Sequence, residues 1–436
     1  MTARVEEPVN ETVPASGASR LFAAGGQAGY AAHRATFGDV PWRDLETTFL
    51  PALEASGLSG RGGAAFPAWR KMALLAGARG TGRRVPRAST PVLIANGAEG
   101  EPLSVKDATL LHNAPHLVID GLLAAAQVTG ARNIIIYTGA GNLAPVTTAL
   151  AERDDAGAVA LVEAPDTFVA GQSSAVVNFL ETGKALPRTM ATRLGEAGFK
   201  GRPTVLSNVE SWAHMALIAR YGAAWFRAQG TTSDPGTRLV SISGDVPADM
   251  VLEVPGGAPL EAVLASAGVM PDAVAAVLVG GFHGRWARPA GMRLAAGEQS
   301  AHCVRPGAGV LHVLGQGRCG LAATATMASY LAGESARQCG PCLFGLPALA
   351  GLMGRLAAGA GAGRADDELV AEVRRMGNLV AGRGACHHPD GTVQLIRSAL
   401  ETFADDVPWH LAGQCIVAGV QHRAAGVQHT AKEGPR

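Results

Sequence analysis

Pro91-Val-Leu-Ile-Ala-Asn96-Gly97-Ala98-Glu99-Gly100-Glu101-Pro102 joins a short aliphatic run to a glycine-broken segment that carries one amide and two carboxylates. An apolar run of this length, bounded by turn residues, predicts a strand buried on both faces. Downstream, 116–130 predicts a helix ended by Gly130, Asn133-Ile-Ile-Ile-Tyr-Thr138 a second buried strand, 143–153 a helix and Val159-Ala-Leu-Val162 a third strand. Strands alternating with helices predict a parallel α/β layer. Ligands of such sheets bind beyond the carboxyl ends of the strands, which is where Asn96, Glu99 and Glu101 stand. Two readings stay open for them. The amide and carboxylates can grip an aromatic ring edge or a ribose hydroxyl, or the acids can complement a helix N-terminus.

Upstream lies Gly57-Leu-Ser-Gly60-Arg61-Gly62-Gly63-Ala-Ala-Phe66-Pro67-Ala-Trp69-Arg70-Lys71, running into a helical pattern. Its glycines let backbone approach a ligand closely, and N–H groups ahead of a helix favour an anion. Arg61 and Lys71 add positive charge. The alternative is an ordinary turn, since the chain holds 57 glycines. Phe168-Val-Ala-Gly171-Gln172-Ser173-Ser174 precedes a helical run and is a weaker cradle of the same kind, and Asn208 reads as a helix cap or an anion contact.

Lys and Arg exceed Asp and Glu by 37 − 36 = 1, so neither a nucleic-acid surface nor a polybasic anchor is indicated. No apolar run reaches the ~20 residues of a membrane helix, and the first residues lack signal-peptide character. A cytoplasmic protein without direct membrane insertion is expected.

From Asp234-Pro-Gly236 the pattern changes to two strand-like runs around a turn, a short helix at 260–267 and a strand at 275–281, a small β-rich unit. Beyond Leu321, helices are predicted at 322–332, 343–358, 367–381 and 392–403, a bundle. The expected division is a disordered leader at 1–24, an α/β domain at 25–232, the β-rich domain at 233–297, the bundle at 298–412 and a flexible tail at 413–436. That tail holds Ala-Gly-Val-Gln-His twice, at 418–422 and 425–429, read as low complexity.

Cys339-Gly-Pro-Cys342 and Cys386 fall in two interhelical loops expected to meet at one end of the bundle, so three thiolates can converge on a metal. Zinc, with His387 or His388 as a fourth ligand, an iron–sulfur cluster and a degenerate relic all fit that spacing. Cys303, Cys319 and Cys415 are scattered and read as small buried hydrophobes.

Taken in order, Gly-Arg-Gly-Gly-Ala-Ala-Phe-Pro (60–67) with Lys71, Asn-Gly-Ala-Glu-Gly-Glu-Pro (96–102), Lys106-Asp107, Pro203-Thr204, Asn208-Val-Glu210, Ser241-Ile-Ser-Gly244 and Glu334-Ser335 ahead of Cys339-Gly-Pro-Cys342 resemble the flavin- and NADH-binding subunit of bacterial NADH:quinone oxidoreductase, complex I. The resemblance spans about 50–405. It implies a Rossmann-like FMN-binding α/β domain, a soluble-ligand-binding β-grasp (SLBB) domain and a helical bundle carrying a [4Fe–4S] cluster. It implies FMN binding by Gly60, Arg61, Gly62, Gly63, Phe66, Lys71, Asn96, Gly171 and Asn208, catalytic positions at Glu99 and Glu101, and metal ligands at Cys339, Cys342 and Cys386. In that family NADH delivers a hydride to FMN and single electrons leave through the cluster to a partner protein.

The departures are specific. Ala98 replaces an aspartate, Phe168, Gln172 and Ser173 replace a tyrosine and two acids, and Met190 replaces a basic residue, all on the nicotinamide side. Ala336 replaces the first of the family's four cluster cysteines. Three outcomes follow for the cluster: [3Fe–4S], [4Fe–4S] completed by His387, Ser335, a partner residue or a small ligand, or no cluster, with retention of a cluster the expectation. The expected function is a flavoprotein oxidoreductase passing electrons from NAD(P)H through FMN to a cluster and a ferredoxin-like or complex I-like partner. One alternative is a ferredoxin-linked electron-transfer protein that no longer uses NADH, and another is a non-catalytic docking subunit. The C subunit of the Rnf complex shares the Asn-x-Ala-Glu-x-Glu-Pro segment, but its paired ferredoxin-like cysteine clusters are absent here.

Overall fold

The computed structural model describes residues 19–76, 90–188, 192–296, 300–359, 366–415 and 417. The reading of Met190 and both copies of the tail repeat lie outside them. β1 (Val92–Gly97), β2 (Asn133–Gly139), β3 (Val159–Ala164) and β4 (Thr204–Asn208) form one sheet in the order β3-β2-β1-β4, and every pair in it is parallel. The aliphatic run that opens β1 is apolar throughout because both faces are covered. Leu93 and Ala95 point into a core shared with the helices Pro115–Thr129 and Val209–Arg227. Val92 and Ile94 point into a second core closed by the helix Ser173–Thr182.

A second unit contains β5 (Thr237–Gly244), β6 (Met250–Pro255), β7 (Ala258–Pro259), β8 (Val274–Val279), β9 (Arg285–Ala287), β10 (Arg293–Leu294), β11 (Cys303–Val304) and β12 (Val310–Gly315). Five of them make a mixed sheet, β6-β5-β12-β8-β9, and β11-β10-β7 make a small one. Alternation decides its packing. Val277 and Val279 of β8 face a core under the helix Leu260–Ser266, whereas Ala276 and Leu278 face the helices that follow. The boundary expected at 297 needs correction, because β12 is a central strand, parallel to β5 and antiparallel to β8.

The helices Gly320–Gly333, Leu346–Ala357, Asp366–Val380 and His388–Thr402, with the short Val407–Leu411, complete the described chain. The first four overlap the segments 322–332, 343–358, 367–381 and 392–403, whereas Val407–Leu411 was not expected. Residues 19–24, expected at the end of the leader, are instead packed. Glu253 of β6 accepts hydrogen bonds from Ser19 Oγ at 2.7 Å and from the N–H groups of Arg20 and Leu21 at 2.9 and 3.0 Å, and Leu21 is fully buried. No described helix is long and apolar enough to cross a membrane.

Candidate functional site: a glycine loop over a strand switch point, and a thiol cluster

Gly57, at φ +68°, ends the helix Leu45–Ser56 and starts the loop. Hydrogen bonds from Gly60 N–H to the Phe66 carbonyl and from Ala68 N–H to the Leu58 carbonyl, each 2.9 Å, close its base. Gly62, Gly63 and Ala64 are exposed at its tip, with Phe66, an aromatic ring left 44% exposed. Gly63 sits at φ +93°, a backbone region that disfavours any side chain. A Cβ on Gly62 would lie 3.2 Å from the Cβ of Asn208, so the tip hangs directly over the end of β4.

That location follows from topology. In the order β3-β2-β1-β4 the chain goes to opposite sides of β1, and the crevice beyond the carboxyl ends of β1 and β4 is where open α/β sheets bind ligands. Asn96 and Asn208 are register partners there. Asn96 Nδ2 donates to the Gly171 carbonyl at 2.9 Å, and its Oδ1 accepts from Ala98 N–H at 3.2 Å. Asn208 caps the helix Val209–Arg227, its Oδ1 accepting from Glu210 N–H at 3.1 Å. Gly171 must be glycine, because a Cβ would lie 2.8 Å from the Ala98 carbonyl oxygen.

Arg61 and Lys71 are turned away from the tip. The Arg61 guanidinium is buried and donates to the carbonyls of Pro235 and Thr237 at 3.3 and 2.8 Å, while its backbone N–H donates to Ser211 Oγ. Burial first, with repulsion from Arg238, lowers its pKa to about 10 against the pull of Glu210 and Asp234. Lys71 Nζ donates to the Leu206 carbonyl at 2.9 Å, and burial lowers its pKa. Arg61 thus ties the loop to the start of β5, and Lys71, on the helix that follows the loop, ties that helix to β4.

Under the crevice lies a charge cluster whose members appeared in the sequence only as matches to a motif. Lys106 Nζ is 2.6 Å from Asp107, 2.9 Å from Glu210 and 3.2 Å from Asn208 Oδ1, and Asn208 Nδ2 donates to Asp107. Burial opposes the Lys106 charge, but Asp107, Glu210 and Glu99 outweigh it and raise its pKa. Burial likewise opposes ionisation of Glu210, yet Lys106, His214 and Arg61 hold it well below the carboxylate range. For Asp107 burial prevails and the pKa rises. Glu210 also accepts from Leu239 N–H at 2.8 Å, tying the crevice to β5.

Glu99 caps the helix Lys106–Asn113, accepting from the N–H groups of Asp107 and Ala108 at 3.0 and 2.9 Å and from Ser104 Oγ at 2.6 Å. Glu101 reaches the second unit and accepts from Phe282 N–H at 2.7 Å. Burial raises its pKa to about 7, against the N–H groups of Phe282 and Leu103. Phe168, expected to replace a tyrosine of the family, packs its ring edge-on against His283, Tyr330 and His388, and its N–H donates to Glu334 at 3.1 Å. Gln172 caps the helix Ser173–Thr182, its Oε1 accepting from the N–H groups of Ser174 and Ala175.

At the far end of the helix Gly320–Gly333, the loops bearing Cys339, Cys342 and Cys386 meet. Cys339 and Cys342 are 3.5 Å apart at sulfur, Cys342 on a π-helical turn, Pro341–Gly345. Burial pushes Cys342 up to about 12, with Cys339 and the charge of Cys386 acting in the same direction. Burial also raises Cys386. Burial acts upward on Cys339 too, but hydrogen bonds from the Ala385 and Cys342 N–H groups bring it below its usual value. His387 does not join them. Its side chain is 96% exposed and faces Asp390 at 3.7 Å. His388 is buried and is engaged by the Leu331 carbonyl and by His283. The Ser335 hydroxyl oxygen is buried without a hydrogen-bond partner.

Cys319 and Cys415, read from sequence as scattered hydrophobes, lie together with His410. The signal lay in position alone, one cysteine just before the first bundle helix and one just after the last.

Residues 53–217 match the model of the Nuo51 FMN-binding domain, and 322–410 that of the NADH-ubiquinone oxidoreductase-F iron–sulfur binding region. The chain is 27% identical over 430 residues to the F 2 subunit of the NADH-quinone oxidoreductase of Rhizobium meliloti (strain 1021), covering 93% of this chain and 98% of the relative. It is 25% identical to the HndC subunit of the NADP-reducing hydrogenase of Solidesulfovibrio fructosivorans, covering 82% and 75%. Among solved structures, a chain of an NAD+-reducing [NiFe]-hydrogenase in the H2-reduced state superimposes with a TM-score of 0.75 at 27% identity, covering 85% of this chain and 63% of that one. The match thus spans under two thirds of that hydrogenase chain.

Proposed function

From its place as a divergent member of the NuoF-type family of flavin subunits, we propose that this chain is an oxidoreductase that moves electrons from NAD(P)H through FMN to an iron–sulfur cluster and on to a partner protein. One observation carries the reading: an exposed glycine loop overhangs the switch point where Asn96 pairs with Asn208. FMN fits there, since glycine backbone free of Cβ atoms faces the crevice and the floor supplies amides and carbonyls. When bound, FMN would exchange electrons in pairs on one side and singly on the other.

The residues divide their work in this reading. Gly62, Gly63 and Phe66 give the loop its ligand-facing tip. Asn96, Asn208 and Gly171 form the floor, and Gly60, Arg61 and Lys71 hold the loop in place. Glu99 and Glu101 act as positioning residues on the nicotinamide side, since both carboxylates already accept from protein donors. Cys339, Cys342 and Cys386 would ligate iron. Three soft thiolate donors fit such a cluster, and of the candidates for a fourth position only Ser335 offers a buried oxygen without a partner. The mixed-sheet unit is assigned as an SLBB β-grasp domain that docks the flavin unit through Glu101 and Glu210.

The absorbance spectrum of protein purified anaerobically tests this reading. Flavin and iron–sulfur bands are expected together, and a colourless protein that takes up no added FMN overturns it. The packing of Phe168 against the bundle, with no hydroxyl to offer nicotinamide, favours a second reading in which a ferredoxin-like partner replaces NADH as donor. Rapid bleaching of bound flavin by micromolar NADH in stopped flow excludes it.

A further inference from the structure

We propose that Cys319, His410 and Cys415 form a separate thiolate–imidazole site for a borderline-soft divalent cation, Zn2+ foremost, which clips together the two ends of the helical unit. The three donor atoms lie within 4.8 Å of one another, and Cys319 Sγ is 3.3 Å from His410 Nε2. A tetrahedral zinc with Zn–S of about 2.3 Å and Zn–N of about 2.0–2.1 Å holds two sulfurs about 3.8 Å apart and a sulfur and a nitrogen about 3.6 Å apart. The side chains are therefore close to a ligating arrangement without movement of the backbone.

The surroundings support ligation rather than chance packing. His410 Nδ1 is 3.1 Å from the Ala357 carbonyl, which can only accept, so the proton resides on Nδ1 and the Nε2 lone pair is aimed at the sulfurs. Such a carbonyl-oriented imidazole is the usual outer support of a metal-bound histidine. Cys319 is the N-cap of the helix Gly320–Gly333 and its sulfur accepts from Ala322 N–H at 3.4 Å, the polarity that a metal-bound thiolate needs around it. Cys319 and His410 are buried. Two thiolates and one imidazole suit zinc, and three protein ligands leave a fourth position for solvent.

This site is independent of the flavin reading and of the thiols assigned to iron. Cys319 precedes the helix Gly320–Gly333 and Cys339 follows it, which separates the two sets by about 20 Å of helix. Likewise Cys342 sits at the start of the helix Leu346–Ala357, whereas the carbonyl supporting His410 is at its end. A cation bridging Cys319 and Cys415 closes a loop of nearly a hundred residues. Closure of a long loop is where a cross-link gains most from restricting the unfolded chain.

The full chain, freed of metal under reducing conditions and titrated with Zn2+, and with Co2+ as a coloured substitute, tests the site. One cation per chain is expected at this position, with a thiolate-to-cobalt charge-transfer band. Cys415→Ser and His410→Gln are expected to weaken it at least tenfold, while Cys386→Ser keeps it. Cys415 lies beyond the last helix, so its serine variant should fold, and an unchanged far-ultraviolet circular dichroism spectrum confirms that. Unchanged cation binding in Cys415→Ser, loss of binding only in Cys386→Ser, or a Cys319–Cys415 disulfide with no metal uptake after reduction overturns the proposal.

Discussion

At the scale of single residues, the crevice is governed by buried charge. Lys106 compensates Asp107 and Glu210 in an environment that excludes solvent, so Lys106→Met leaves two buried acids without their cation. A loss of about 3–5 kcal/mol is expected, read from urea unfolding of the full chain. Glu101 behaves differently. Burial raises its pKa from 4.5 to about 7, so folding favours its neutral form. The associated stability is complete below about pH 4.5 and fades as pH rises through 7. Glu101→Gln, which stays neutral, is expected to gain about 1–2 kcal/mol relative to the parent between those limits, after allowance for partial exposure. A difference that does not change with pH would contradict that account.

Among elements, the loop Gly57–Pro67 and the thiol-bearing turns show how short segments acquire a role from what they face. The loop is anchored by Arg61 and the helix after it by Lys71, which leaves Gly62 and Gly63 exposed at the tip. The π-helical turn at Pro341–Gly345 brings Cys342 to Cys339. Ala336→Cys restores the spacing Cys-x-x-Cys-x-x-Cys. It is expected to raise iron from about three to about four per chain when a cluster is reconstituted, with the electron paramagnetic resonance signal changing accordingly. Equal iron in parent and variant would mean that another group already completes the cluster.

For the molecule as a whole, buried polar anchors reinforce apolar cores that the units share, Leu239 and Val251 with the α/β domain and Leu278 and Trp286 with the bundle. Glu253 gathers three donors from residues 19–21, Glu101 bonds Phe282, and Glu210 bonds Leu239. Removing residues 1–24 is therefore expected to cost about 2–4 kcal/mol more than removing 1–18, because it exposes the Leu21 pocket and leaves Glu253 Oε2 without its three donors. Thermal unfolding of the two truncated chains compares them directly.

Local pattern determined a large part of this protein. Aliphatic strands between amphipathic helices specify a parallel sheet because burial on both faces demands continuous apolar runs, and helix periodicity specifies the bundle for the same reason. The order of glycines, asparagines and cysteines marks the flavin and cluster regions through its resemblance to the family, for the residue types by themselves left other readings open. What only the tertiary structure decided depends on contacts between distant residues. Arg61 turns inward because carbonyls of Pro235 and Thr237 wait there. Glu99 becomes a helix cap, His387 points to solvent, and β12 enters the middle of a sheet that begins seventy residues earlier. Cys319 meets Cys415 because the bundle folds its two ends together. No spacing rule reports such a meeting, for it is fixed by the packing of every helix between them.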